Sequence, residues 1–343
     1  MKPFTITKAA TVAVVAAFGL SASGAWAQNV NWNLSVWGKP RAFTKGLEEV
    51  SRQVEENSGG KFKIKIHYGE ALSKARENLD GIKIGAFQMA AFCASYHPAK
   101  TPTLSGLDLP FLPFGDLNVQ QRVHETYYAH PAVVADLARW NARILMTSLL
   151  PQYEFMGVGE PPRSLEAWQG KQVRALGGIG KAMTKLGAVP TTSTAPETYQ
   201  LLERGTVYAA SWPFSYAHAA YRLYEISDWF TGNLSPGAVT CPVVINTKAW
   251  DKLPKEYQDI LTESRLPAYE VLKEAYKAAD AKNLPMFKEK GLQEVRYSDD
   301  ELATFRSVGA QPVWDDWVKE QTANGLPAQE LLDLILNTAK GES

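Results

Sequence analysis

Residues 61–94 read KFKIKIHYGEALSKARENLDGIKIGAFQMAAFCA. In KFKIKIHY, Phe62, Ile64 and Ile66 alternate with lysines, the two-residue period of a strand with one buried face. SKARENLDGIKIG (73–85) reads as a helix, and FQMAAFCA (87–94) is an apolar run suited to a strand covered on both sides. A strand, a helix and a second strand in that order imply a crossover connection, parallel pairing and an α/β layered fold. Such folds bind ligands beyond the carboxyl ends of their strands.

The same alternation extends both ways from this stretch. NVNWNLSVWG (29–38) alternates into a strand. PRAFTKGLEEVSRQVEENSGGK (40–61) repeats Phe43, Leu47, Val50 and Val54 at helical steps, until Ser58-Gly59-Gly60 supplies the stop. A proline-rich stretch (97–116) reads as loop, 119–141 as helix, and 142–159 as one or two strands. APETYQLLERGTVYAASWP (195–213) reads as helix, Gly205 stop and strand, and TCPVVINTKAWDKLP (240–254) as strand then loop. From Pro254 to about Gly291 the composition is helical, with Pro267 and Pro285 expected to kink or break it; amphipathic helix follows to a polar tail.

Length and composition set the class. A chain of 343 residues favours two domains over one. Lys2 and Lys8, the apolar run AATVAVVAAFGL (9–20) and Ala25-Trp26-Ala27 predict a secretory signal peptide, residues 1–27, cleaved after Ala27 in an exported, periplasmic protein. Its removal leaves a net charge of −2, with no bulk field for nucleic acid. Only Cys93 and Cys241 are present; a bond between them is open, with two separate buried thiols the simpler reading. No metal-ligand spacing, nucleophile motif or histidine cluster is found, and paired acids such as Glu48-Glu49 read as solvated faces, so neither a cofactor nor an enzyme is expected.

VRALGGIGKAMTKLGAVP (173–190) looks like a phosphate loop and fails as one. Ala175 stands where the P-loop needs its first glycine and Ala182 where it needs a hydroxyl; Met183 replaces the third glycine of a dinucleotide fingerprint that begins at Gly178. What remains is Arg174 at a strand end, beside glycine-freed backbone at a helix start. A guanidinium there can take a carboxylate through two parallel hydrogen bonds.

GKQVRALGGIGKAMTKLGAVP (170–190), ETYQLLERGTVYAASWP (197–213) and CPVVINTKAWDKLP (241–254), together with residues 56–90 and the GLDLPFLPF loop (106–114), resemble in order and spacing the solute receptors of TRAP (tripartite ATP-independent periplasmic) transporters. The resemblance covers essentially the whole mature chain. It implies a two-lobed periplasmic binding protein fold, type II-like, with a long domain-spanning helix: lobe I from 28–151 plus 240–279, lobe II from 152–239 plus 280–343. It further implies a monomer that receives a small carboxylate and delivers it to the membrane permease subunits, with Arg174 as the carboxylate-pairing arginine. Trp212 stands where many members carry an asparagine, and Glu154 where sugar-acid receptors can carry a second arginine, so a second ligand carboxylate would be repelled. By the same register Trp37, Phe92, Cys93 and Tyr96 are expected at the cleft, and Gly178 at the helix start beside Arg174 is expected to bind ligand, giving a monocarboxylate with an aromatic or branched apolar body. Two alternatives stay open: a zwitterion or amine anchored by Glu154, and an exported α/β enzyme acting on organic acids.

Overall fold

The structure, a computed structural model, describes Met1 and residues 29–341; the expected signal peptide lies outside the described residues. Eleven strands are found among the described residues: β1 (Val30–Ser35), β2 (Phe62–His67), β3 (Met89–Ala91), β4 (Ala142–Thr147), β5 (Tyr153–Gly157), β6 (Gln172–Arg174), β7 (Val189–Thr191), β8 (Ala209–Pro213), β9 (Trp229–Thr231), β10 (Pro242–Asn246) and β11 (Gln293–Val295). They form two sheets, ordered β2-β1-β3-β10-β4 and β11-β9-β5-β8-β6-β7. In the first, β1 pairs parallel with β2 and β3, as the crossover reading requires, while β10 runs antiparallel between β3 and β4. In the second, β6 pairs parallel with β7 and β8, and β5 runs antiparallel to β8 and β9.

The local patterns explain these elements. Phe62 and Ile64 of β2 are buried while Lys63 and Lys65 face water, and Leu47, Val50 and Val54 of the helix Lys45–Asn57 are buried as one stripe. The helix before β3 is shorter than its sequence pattern, Asn78–Ile84, and ends on Gly85 in the left-handed region at φ 74°. The 119–141 stretch divides into Leu117–Tyr128 and Pro131–Ala138, Pro131 opening the second helix at a position where its missing N–H costs nothing. The helical region after Pro254 breaks once, at Ser264, into Lys255–Glu263 and Arg265–Glu289; Pro285 lies inside the second helix without ending it.

The chain passes from the first sheet to the second between β4 and β5, and back between β9 and β10. The long helix Arg265–Glu289 spans both halves. Its Tyr269 hydroxyl accepts from the Thr147 N–H (3.1 Å) and its Tyr276 hydroxyl donates to the Ser148 carbonyl (3.0 Å), both in the β4 end of the first half. Farther along, Asp280 accepts from the Ser215 N–H and hydroxyl (2.8 Å each), and Phe287 packs on Phe230 of β9.

Two features differ from the sequence reading. Residues 280–343 do not stay wholly with the second half: Trp317 of the helix Gln311–Ala323, and Leu331, Leu332 and Ile335 of the helix Ala328–Lys340, share a core with Leu104, Val123 and Tyr127 of the first. An amphipathic stripe fixes that a helix is covered, and the nearest apolar face decides by what. The two cysteines are joined. The β3–β10 register pairs Ala91 with Val243, and continuing it by two residues sets Cys93 opposite Cys241 between the flanking bonds Phe92 N to Pro242 O and Ala94 N to Thr240 O. This is a non-hydrogen-bonded antiparallel position, where facing side chains come closest.

Candidate functional site

Arg174 ends β6, and the turn after it is built by glycine. Gly177 sits at φ 47°, and a Cβ at Gly178 would lie 2.2 Å from the Asp108 carbonyl oxygen. Only glycine lets the start of the helix Gly177–Lys185 close onto the Pro102–Asp108 segment of the first half. Arg174 itself is buried. Its Nη1 donates to the Ser211 carbonyl (2.8 Å), and its Nη2 (2.8 Å) and Nε (3.3 Å) donate to the Ser193 carbonyl. A guanidinium has five N–H donors, so these bonds leave one N–H on each Nη; the Tyr96 hydroxyl lies close enough to interact with the guanidinium, and an incoming carboxylate would compete with it. Among the described residues no carboxylate pairs with Arg174. Burial lowers its pKa, but a guanidinium stays charged.

Beside Arg174 lies a small cavity of ≈ 30 Å³, by the measure in which one water needs about 10 to 15 Å³. Trp37, Arg41, Phe43, Cys93 and Tyr96 line it from the first half; Tyr153, Trp212, Tyr216 and Tyr221 line it from the second. The Cys93–Cys241 disulfide forms part of the first-half wall. The Tyr96 hydroxyl accepts from the Ala195 N–H (3.1 Å), a bond between the two halves, and Trp37 meets Tyr96 edge to face at 6.0 Å. Trp212 stacks edge to face on Tyr221 at 4.5 Å, and the Arg174 guanidinium lies 5.7 Å from the Trp212 ring. Among the described residues two guanidiniums and no carboxylate line the space, so its field favours an anion. The Trp212 Nε1 and the Tyr221 hydroxyl are buried without a hydrogen-bond partner, and both can donate.

A match to the family model for DctP, bacterial extracellular solute-binding protein family 7, covers residues 35–321. The chain belongs to this family. The monocarboxylate 2-oxoacid-binding periplasmic protein of a Nostoc species is 27% identical over 285 residues, 82% of this chain and 77% of the relative. A TRAP periplasmic solute-binding protein from Desulfovibrio salexigens, solved with orotic acid, superposes with a TM-score of 0.82 at 19% identity, covering 91% of this chain and 99% of the other. A marine-metagenome TRAP solute-binding protein specific for aromatic acids, solved with 3-hydroxybenzoate, gives 0.82 at 19% identity, covering 92% and 99%. The resemblance read from the sequence therefore holds: this is a solute-binding protein of the TRAP type, with a two-lobed fold. Among its described residues no helix is long and apolar enough to cross a membrane.

Of the residues singled out in the sequence of this solute-binding protein, Arg174, Trp212, Trp37, Cys93 and Tyr96 come together at the cavity; Phe92, Glu154 and Gly178 do not line it. Phe92 points into the core shared with Phe87 and Leu104, because successive residues past β3 alternate sides and Cys93 takes the cavity side. Gly178 serves the approach of its helix to Asp108. Glu154 is corrected most. On β5 its neighbour Tyr153 faces the cavity, while Glu154 accepts from the Thr231 hydroxyl, the Leu234 N–H (3.1 Å), the Ser235 N–H (2.9 Å) and the Ser235 hydroxyl (2.7 Å). Burial raises its pKa against the pull of these bonds. Its acceptors are spent inside the second half, and it does not reach the cavity to contact a ligand there.

Arg41, Phe43, Tyr153, Tyr216 and Tyr221 line the cavity and were missed. Arg41 carried a usable signal: it stands just past the carboxyl end of β1, the ligand side of a parallel strand.

Proposed function

We propose that this protein is the periplasmic receptor of a TRAP transporter for a small organic monocarboxylate, bound by an ion pair with Arg174. The mature receptor lacks residues 1–27, acts as a monomer without turning its ligand over, and hands it to the membrane permease subunits. A lobe built on each sheet closes on the ligand. Trp212 and Trp37 pack an aromatic or branched apolar body, and exclusion of water strengthens the ion pair. The observation that carries this reading is the buried guanidinium with two N–H groups that no carbonyl or carboxylate among the described residues takes, at the edge of an acid-free cavity. The 2-oxoacid and aromatic-acid ligands of the relatives belong to the same chemical class, a carboxylate on a compact body.

Calorimetry with Arg174→Ala tests it. Cutting a buried charge-assisted pair strands the partner, so affinity for the natural acid should fall by about 2 to 5 kcal/mol. Normal binding by that variant overturns the assignment, and turnover of the acid by purified protein would make it an enzyme instead.

A further inference from the structure

We infer that the ligand carries a second oxygen acceptor at the end remote from its carboxylate, and that Arg41 receives it. This rests on the Arg174 reading and adds a specificity-determining residue to the same site. Arg41 is held in place before any ligand arrives. Its Nη1 donates to the carbonyls of Trp37 (2.8 Å) and Lys39 (2.9 Å), and its guanidinium lies 4.6 Å from the Phe43 ring and 5.6 Å from the Tyr221 ring. Among the described residues no carboxylate pairs with it. Gly38, at φ 69°, makes the approach possible: a Cβ there would sit 2.4 Å from the Tyr221 hydroxyl and 2.8 Å from Arg41 Nη1.

Arg174, Trp212, Tyr221 and Arg41 are each the next one's neighbour at the cavity, with guanidinium-to-ring or ring-to-ring separations of 5.7, 4.5 and 5.6 Å. The two rings that link the guanidiniums carry the Trp212 Nε1 and the Tyr221 hydroxyl, neither of which has a hydrogen-bond partner among the described residues. These four side chains all offer donors, and among the described residues the lining contributes no carboxylate to meet them. An acid whose far end is pure hydrocarbon would leave the buried Trp212 Nε1 and Tyr221 hydroxyl unmet and offer half-buried Arg41 nothing to bond. One with a hydroxyl or carbonyl oxygen there would satisfy them, and sites built to bond such a group discriminate strongly against analogues without it.

The test is calorimetry with two series that differ only at the remote end: benzoate, 3-hydroxybenzoate and isophthalate; pentanoate, 4-oxopentanoate and pentanedioate. In the wild type the best oxygen-bearing member of a series should bind at least about tenfold tighter than its parent. Tightest binding by 3-hydroxybenzoate or 4-oxopentanoate keeps the monocarboxylate reading; tightest binding by isophthalate or pentanedioate overturns it. Arg41→Met, checked for folding by circular dichroism, should bring the ratio to within about threefold. Should that variant fail to fold, Arg41→Lys, which loses the planar fork, should lower the ratio by at least about threefold. Parents that bind as tightly as their oxygenated partners, or a ratio unchanged in the folded variant, overturn the inference. Failure of the Arg174 reading looks different: Arg174→Ala would leave the absolute affinities of all members intact. Binding of none of the six by the wild type counts against both.

Discussion

Arg174 and Glu154 sit in the same sheet, on strands that both flank β8, and each is 2% exposed. They are buried charges of opposite sign with opposite accounts. Glu154 receives four hydrogen bonds from Thr231, Leu234 and Ser235, all from its own half. Arg174 makes three, to Ser193 and Ser211; its other two N–H groups have only the neighbouring Tyr96 hydroxyl and no carbonyl or carboxylate among the described residues, and it borders a cavity. Burial alone does not mark a binding residue, because both are equally buried. Unspent hydrogen-bonding capacity at the edge of a void does, since a buried charge without full partners is stable only where something else completes it.

The strongest way to break this contrast is to exchange the consequences of the two residues. Arg174→Ala should lower ligand affinity by the 2 to 5 kcal/mol given above while the unliganded protein, in urea unfolding, changes by less than that. Glu154→Gln should do the reverse. It keeps the shape, loses the charge-assisted bonds and turns an acceptor into a donor facing donors. About 1 to 3 kcal/mol of unfolding free energy should be lost, with affinity within about twofold of wild type. A Glu154→Gln protein of normal stability that no longer bound ligand would return Glu154 to the site.

Asp108 sharpens the comparison, because it lies between the two extremes. It is buried, accepts only from the Ser95 hydroxyl and the Thr240 N–H, and has no cation partner among the described residues; burial raises its pKa from the ordinary 3.8 to about 7. Between about pH 4 and 7 the folded chain holds a proton that the unfolded chain has released. Its contribution to stability is therefore full below about pH 4 and is lost as pH rises through 7, by at most about 1.4 kcal/mol per pH unit. His124 and His218, lowered to about 3 by burial, act in the other direction by losing stability as pH falls below 6.5. The measurement is thus the difference in unfolding free energy between wild type and Asp108→Asn across pH 4 to 8. That difference should shrink as pH rises and level off above 7; a flat difference would mean that Asp108 is ionised throughout.

The register of the family resemblance supplied most of the residues that meet at the cavity. The strand ends of β1, β3, β6 and β8 placed Trp37, Cys93, Tyr96, Arg174 and Trp212 on the ligand side, and all five reach one cavity. The errors came where a side had to be chosen. Phe92 and Glu154 are one residue away from Cys93 and Tyr153, which face the cavity, and a period of two turns a one-residue uncertainty into the opposite face. Tyr216 and Tyr221 escaped notice because they lie past β8 in the segment around the short helix Tyr216–Ala220, which Asp280 of the long helix holds through Ser215, 65 residues away in sequence.

The sequence by itself determined the α/β alternation, the family and the arginine at the end of β6, because those rest on local periodicity, glycine punctuation and motifs in register. Only the tertiary structure decided that Cys93 meets Cys241, that the last helices return to the first half, that Glu154 is satisfied and that Arg41 shares a cavity with Arg174. Each of these depends on which distant surfaces come within reach of one another, and side-chain bonds form by proximity in space, which linear spacing does not encode.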